Sequence, residues 1–439
     1  MDVLANRGYR HLFLAQLVAL LGTGLATIAL GLLAYDLAGA DAGFVLGAAL
    51  ALKMVAYVLV APLVTALADR LPRREFLVGM DVLRCGVALM LPFVTEVWQV
   101  YVLILVLQAA SAAFTPTYQA TIPTLLPQEE DYTRALSLSR LTYDLESLIS
   151  PVLAAALLTL VDYHWLFTGT SVGFAASAFL VLTVVLPKPQ AIERHGGATR
   201  GIRIYLATPR LRALLWLNLA AAAAGSMVLV NTVVLVRDVF GRADIAVAIT
   251  FGVFGLGSMA AALTLPRLLA NVPDRKVMLT ACGALAGMLV LTAALLSLGW
   301  LMVLVSWLLL GFGYSLALTP VGRLIRRSAG PADLPTLFAA QFAISHAGWL
   351  ITYLVAGSLG SVAGMPVTML ILGAITLGGV LQARRAWPAD DRETLEHVHD
   401  DLDDEHPHLH DAIPHQQGWR HEHAYVIDRI HPRWPANHG

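Results

Sequence analysis

Apolar runs separated by short polar breaks fill the chain from Leu12 to about Arg385, each close to the roughly 20 residues that carry a helix across about 30 Å of hydrocarbon. Twelve such runs begin near Leu12, Phe44, Phe76, Val100, Ser139, Trp165, Leu211, Ala246, Val277, Leu301, Leu337 and Val367. Proline and hydroxyl side chains loosen two of them, at Phe114-Thr115-Pro116 and Leu318-Thr319-Pro320. An even number of crossings puts both termini on one side. Short loops on that side carry Arg7, Arg10, Arg70, Arg73, Arg74, Arg134, Arg267, Arg275, Lys276, Arg323, Arg326 and Arg327, and the opposite loops carry Arg237 and Arg242. Basic loops stay in the cytoplasm, so both termini are expected there, in a multi-pass protein of the inner (plasma) membrane.

The longest internal polar stretch follows the sixth run and divides the chain into a first six-helix bundle (1–186), a linker (187–210), a second bundle (211–387) and a tail (388–439). Internal similarity supports two copies of one unit: the two Thr-Pro sites lie 204 positions apart, Pro127 and Pro331 keep that offset, and Arg74–Val78 resembles Arg275–Leu279. The predicted fold is an all-α membrane protein of twelve transmembrane helices in two parallel six-helix repeats, with a disordered cytoplasmic tail. Such repeats place a transport site between the halves near the midplane. Composition agrees, because charged residues are 13% and hydrophobic ones 57%, which excludes an ordinary soluble domain. Cys85 and Cys282 both sit in apolar segments and imply no disulfide framework.

After the second run comes Thr65-Ala66-Leu67-Ala68-Asp69-Arg70-Leu71-Pro72-Arg73-Arg74. This resembles the signature loop of the major facilitator superfamily, with Thr65 and Pro72 at positions where glycine is usual. The resemblance implies a latch in which Asp69 meets a helix N-terminus and an arginine, while Arg70, Arg73 and Arg74 meet anionic headgroups. In the fifth run, Ser150-Pro151-Val152-Leu153-Ala154-Ala155 is similar to that superfamily's exporter motif, keeping Pro151 and small neighbours. Pro151 would bend the helix at a gate. A twelve-helix facilitator ending in a histidine-rich tail resembles the nickel-resistance exporters.

Ionisable groups inside membrane helices are functional candidates, because each is costly in hydrocarbon. Asp144 and Glu146 precede Pro151; Arg140, one turn before Asp144, offers that carboxylate an ordinary helix partner, whereas Glu146 has none at helical spacing. His346 is a candidate ligand or proton carrier, with a hydrogen-bonded structural histidine as the alternative. Asp81 and Arg84 are spaced for an intrahelical pair, and Lys53 is expected to pair with Asp36 or to snorkel. Stripes of Gln16, Thr23 and Thr27 in the first helix and of Gln108, Ser111, Thr115 and Tyr118 in the fourth mark cavity faces. Asn218 and Asn231, with Gln341, Ser345 and Thr352, are placed to face them from the second half, or to join helices.

Ten of the fourteen histidines lie between His397 and Gly439. They recur as His397/His399, His406/His408/His410 and His421/His423, with His415, His431 and His438 apart and carboxylates around them. Imidazole suits nickel, zinc, cobalt and copper(II), and in extended chain an H-x-H pair turns both rings to one side. Pro407 and Pro414 oppose helix formation. The absence of tail cysteine argues against copper(I). A solvated acidic terminus that merely contains histidine is the plain alternative.

No nucleotide-binding loop, catalytic triad or redox motif is present, so an ion gradient must supply the energy and no enzyme is expected. The reading is a proton-coupled exporter of a divalent metal, nickel first and cobalt next, with Glu146, Asp144 and His346 as coupling groups. No permanently bound cofactor is expected beyond a transported or tail-bound ion (Ni, Co or Zn). The expected partners are membrane lipids, metal ions and protons, with no nucleic acid and a monomeric state. The alternatives are a drug or siderophore exporter of the same fold with a regulatory tail, and a membrane-anchored metal sensor or buffer that transports nothing.

Overall fold

The computed structural model describes residues 3–60, 72–126, 149–184, 198–330, 333–391, 394–399, 412–415 and 418–427, with isolated positions between 128 and 142 and at 186, 409–410, 430–431 and 434. The first half contains α1 (Arg7–Ala38), α2 (Ala42–Val55, prolonged by a π turn at Ala56–Val60), α3 (Arg73–Met90), α4 (Val97–Leu125) and α5 (His164–Leu182). A linker helix α6 (Ala198–Ala207) leads into α7 (Pro209–Val234), α8 (Asp244–Leu269), α9 (Asp274–Leu295), α10 (Trp300–Leu318), α11 (Leu334–Val362) and α12 (Met365–Ala386).

Among the described residues ten runs are long and apolar enough to cross a bilayer. The first, Arg7–Leu59, holds both α1 and α2. The fifth expected span falls largely outside the described residues, with 149–157 seen as helix. With the first run counted as two helices, eleven of the twelve expected spans are represented among the described residues. Helix ends follow local chemistry. Asn6 accepts from the Tyr9 amide at 3.1 Å to start α1, and Glu96 and Gln99 form a reciprocal capping box at α4. Gly39 and Gly364 turn the chain with φ of 56° and 78°, a region closed to most side chains.

The packing repeats between halves. α1 and α3 both lie against α5, as α7 and α9 lie against α12, and α2 packs on α4 as α8 packs on α10. This is the parallel duplication that the spacing of the Thr-Pro sites implies. The halves meet through α2 on α11 and α1 on α7. A Cβ on Gly47 would stand 2.6 Å from the Tyr353 carbonyl oxygen and 3.1 Å from Gly357 Cα, so only glycine permits this approach. A Cβ on Gly31 would stand 2.7 Å from a side-chain methyl of Val233. These contacts lie toward the side opposite the termini, the far side, which is therefore closed.

The tail differs from the disordered segment the sequence suggests, because its described part forms a three-stranded antiparallel sheet. Its strands are β1 (Thr394–His399), β2 (Ile413–His415) and β3 (Gly418–Ala424), in the order β1-β3-β2. The physical reason is a period of two: Leu395, His397 and His399 share one face of β1, opposite His423, His421 and Trp419 of β3. Glu396 and Arg420 pair on the other face at 3.0 Å. Pro414 sits on the edge strand, where a missing amide donor is tolerated.

Candidate functional sites in the bundle and the tail

In the first half, the two predicted hydroxyl and amide stripes do converge. Thr23 and Thr27 of α1 and Gln108 and Ser111 of α4 line one cavity of about 40 Å³, walled also by Leu50, Lys53 and Phe174. The hydroxyls of Thr23, Thr27 and Ser111 donate to carbonyls one turn back, at 2.9 to 3.0 Å, and so turn oxygen lone pairs outward. Thr115 donates to Ser111 one turn further along, at 3.1 Å, and Gln16 is buried in α1. Lys53 lines this cavity and lies 6.0 Å from the Tyr57 ring. It does not pair with Asp36, which instead accepts from the Tyr163 hydroxyl at 2.7 Å.

His346 stands where α11 meets the π turn of α2. Its ring stacks on Phe342 at 3.8 Å and on Tyr57 at 5.4 Å, and Nδ1 lies 2.7 Å from the Phe342 carbonyl. Tyr314, Trp349 and Tyr353 extend the aromatic surface along the second half. Asn218 and Gln341 make a reciprocal amide pair at 3.1 Å, to which Tyr205 of the linker helix adds a 2.6 Å hydrogen bond. Asn231 is not on a cavity wall: fully buried, it donates to the Ala356 carbonyl at 3.0 Å and ties α7 to α11. An isolated amide in an apolar segment reads equally well as cavity or glue, and here it is glue.

Asp81 and Arg84 form the buried intrahelical pair their spacing suggests. Ser177 of α5 donates to Asp81 at 2.7 Å, and the Arg84 guanidinium lies between the rings of Phe114 and Phe174, at 4.2 and 4.5 Å. Pro151 lies opposite Gly252 of α8, and Ser150 donates to the Leu21 carbonyl at 3.4 Å. The small-residue motif thus packs against both halves. Arg73 and Arg74 open α3, where Arg74 pairs with Glu75 at 3.1 Å. Asp69, Arg70, Asp144 and Glu146 lie outside the described residues, so the latch and the carboxylates before Pro151 have no geometry here.

On the far side, an open depression between the halves is lined by Tyr35, Asp162 and Tyr163 of the first and Arg237, Arg242 and Asp244 of the second. Arg237 pairs with Asp244 and lies 5.0 Å over the Tyr35 ring. The His164 amide donates to Asp162 and holds its carboxyl below the usual range, while burial and the neighbouring Asp36 push the Tyr163 phenol up. Arg237 thus reaches across to the first half, whereas Arg242 lies 5.3 Å over Trp300 of its own half.

The densest constellation is in the tail. Nε2 of His397 lies 3.1 Å from that of His399, 3.1 Å from that of His431 and 3.2 Å from that of His421. Ligand atoms of these four residues all lie within 4.8 Å of one another. His397 and His421 face each other across the β1–β3 register, His399 follows His397 on the same face, and His431 returns from beyond β3. His423 adds a ring centred 4.8 Å from those of His397 and His421. A tetrahedral ion with M–N bonds of about 2.0–2.1 Å has ligand edges of about 3.3 Å, close to the three shortest separations. His410 and His415 are exposed and outside this group, and His406 and His408 lie outside the described residues.

The sheet does not stand alone. Tyr425 and Ile427 are buried in the core of the second half beside Trp387, with Leu395 and Trp434 packed on it. Asp391 accepts from Trp387 Nε1 at 2.8 Å, from Arg210 at 3.3 Å and from Arg327. Arg327 and Arg323 also meet Asp274 at the start of α9.

The sequence matches the profile of the Major Facilitator Superfamily over residues 12–299 and 215–400. Macrolide efflux protein A of Enterococcus faecalis is 26% identical over 153 residues, 33% of this chain and 47% of that protein. Its namesake in Streptococcus pyogenes is 26% identical over 149 residues, 33% of this chain and 36% of that protein. The chain thus spans half or less of the curated relatives it matches. Solved structures with the same fold include a mutant of the nucleoside transporter NupG (TM-score 0.71, 14% identity, 87% of this chain and 100% of that one). A bacterial homologue of the human lysosomal transporter Spinster, inward-facing and unoccupied, gives a TM-score of 0.70 at 13% identity over 87% of this chain and 97% of that one.

Proposed function

Because the chain belongs to the Major Facilitator Superfamily, we propose that it is a proton-coupled secondary transporter that exports a divalent transition-metal ion, nickel first and cobalt next, by alternating access. One observation carries the choice of cargo: four imidazoles of the tail converge within 4.8 Å at the termini side of the second bundle. In this reading both termini are cytoplasmic and the tail gathers ions at the inner mouth. Expelling a divalent cation against an inside-negative potential costs about 4.6 kcal/mol per 100 mV, so uniport cannot do it. Exchange for two protons cancels the electrical term. His346, between the halves, is the described group suited to trading a proton for a metal, with Glu146 and Asp144 as its carboxylate counterparts.

A second reading has its own support. The aromatic surface of Tyr57, Phe342, His346 and Trp349, with cationic Lys53 beside the cavity, suits an organic molecule better than a dication, and the similar curated proteins are macrolide efflux proteins. Metal accumulation in cells with and without the protein, across nickel, cobalt and zinc and alongside a macrolide, separates the two. Lower cellular metal on expression supports metal export. Unchanged metal with lower macrolide content replaces it by the drug reading.

A further inference from the structure

We infer that an ion bound by His397, His399, His421 and His431 clasps the tail sheet to the termini-side end of the second bundle, which rests on the metal reading of the tail proposed above. The four ligands come from three separate stretches of chain: β1, β3 and the segment beyond residue 430. A sheet with strands of 6, 3 and 7 residues is marginal in water without further support. Small units of this kind draw folding free energy from a bound metal, because the site exists only when the chain is folded around it.

The donor set narrows the class of ion. An all-nitrogen set excludes magnesium and calcium, which take oxygen, and the absence of thiolate disfavours copper(I). Separations of 3.1 to 3.2 Å around His397 approach the edge of a tetrahedral site, and the widest separation in the group, 4.8 Å, must close before all four rings reach one ion, which leaves zinc, cobalt(II), nickel and copper(II) as the candidates.

Contacts run unbroken from the centre to the membrane helices. The His431 ring lies 4.6 Å from Tyr425, whose ring lies 5.2 Å from Trp434. The Arg210 guanidinium, at the first turn of α7, lies 5.2 Å over Trp434 and also holds Asp391. His431 therefore joins the sheet to the very segment that reaches α7. With the ligands knit together, Tyr425, Ile427 and Trp434 are seated and Asp391 completes the Arg210–Arg327 cluster; without the ion the strands keep their ladders and the Glu396–Arg420 pair but lose the bonds that would tie His431 to β1 and β3 through one centre.

The test uses the full chain in detergent, with Cys85 and Cys282 replaced by alanine and spin labels introduced at exposed Lys276 on α9 and exposed Glu422 on β3. Chelator-stripped protein is titrated with cobalt(II) or zinc. Pulsed EPR then reports the tail-to-bundle distance, and the visible band of tetrahedral cobalt(II) reports binding. The expected result is a broad distribution in stripped protein that collapses to a single distance on loading. His397→Ala with His421→Ala should lose the cobalt band and stay broad, whereas Asp391→Asn should keep the band and stay broad. A single distance in stripped protein, unchanged by an ion that does bind, overturns the clasp and leaves the metal reading intact. So does a single distance in loaded Asp391→Asn for the part given to Asp391. Failure of the stripped full chain to bind either ion removes the clasp and the metal reading of the tail together, while export is judged separately by accumulation in cells.

Discussion

Gly47→Ala should open the far side. The new Cβ would stand 2.6 Å from the Tyr353 carbonyl oxygen and 3.1 Å from Gly357 Cα, both backbone atoms that no rotamer change can move away. Relief requires α2 and α11 to separate, which costs the closed state about 1–3 kcal/mol by analogy with overpacked cores and costs the separated state nothing. At about 1.4 kcal/mol per tenfold, the closed-to-open ratio falls by roughly 5- to 150-fold, and a tenfold fall alone takes a 95:5 mixture to about 2:1. Spin labels at exposed Ala40 and Val362, on the far ends of the two halves, should show a second, longer distance. Gly79→Ala on α3, with nothing within 4 Å of its added Cβ, controls for helix propensity and should leave the distribution alone. Identical distributions in Gly47→Ala and its parent would refute the closed contact between α2 and α11.

Asp81→Asn should destabilise the first half by about 3–5 kcal/mol, because it strands the Arg84 guanidinium in a site where Asp81 is fully buried; detergent melting curves measure this, and Asp81→Asn with Arg84→Met should recover most of the loss. The carboxyl of Asp162 is held below its usual range, so its contribution to the loop before α5 is complete above the ordinary carboxylate value and is lost as pH falls through the depressed one. Hydrogen exchange of residues 160–166 should rise at acid pH in the parent and show no such pH step in Asp162→Ala. Metal binding by the tail should weaken below about pH 6 as imidazoles with a reference value of about 6.5 take up protons; calorimetry that finds equal affinity at pH 5.5 and 7.5 would contradict nitrogen ligation.

The membrane fold was legible because its signals are local. Span length, the repeated Thr-Pro sites and the i, i+3 spacing of Asp81 and Arg84 each depend on neighbours in sequence, and each reappears in the helices. The stripes of α1 and α4 also converge as their periodicity implies, since both lie on the inner face of one bundle. Partner choice was not legible. Gly43 and Gly47 pack against Gly357, more than 300 residues away, and nothing in their surroundings names that partner. The same limit applies in the tail, where H-x-H predicts two rings on one side of a strand, whereas the register that sets His397 against His421 depends on an antiparallel return. Pairing with Asp36 is one of the two outcomes expected for Lys53; Asp36 accepts instead from the Tyr163 hydroxyl, supplied by a turn that no helical spacing predicts.

α7 connects the two ends of the molecule. Its first turn carries Arg210, which holds Asp391 and lies over Trp434, and its last turns carry Asn231 and lead to Arg237 in the far-side closure. At 1.5 Å per residue its 26 residues span about 39 Å as one continuous helix. A tail that grips one end of α7 therefore bears on the closure at the other, provided the gripped position suits one far-side state better. The linkage is then reciprocal: whatever factor an ion in the tail applies to the closed-to-open ratio, opening must apply to the affinity of the tail for that ion. Gly47→Ala, which touches no tail residue, should shift the cobalt(II) affinity of the full chain toward that of the open state, in proportion to the population moved and by no more than that factor. An unchanged affinity beside a displaced far side would mean that the clasp orders the tail and leaves the transport cycle untouched.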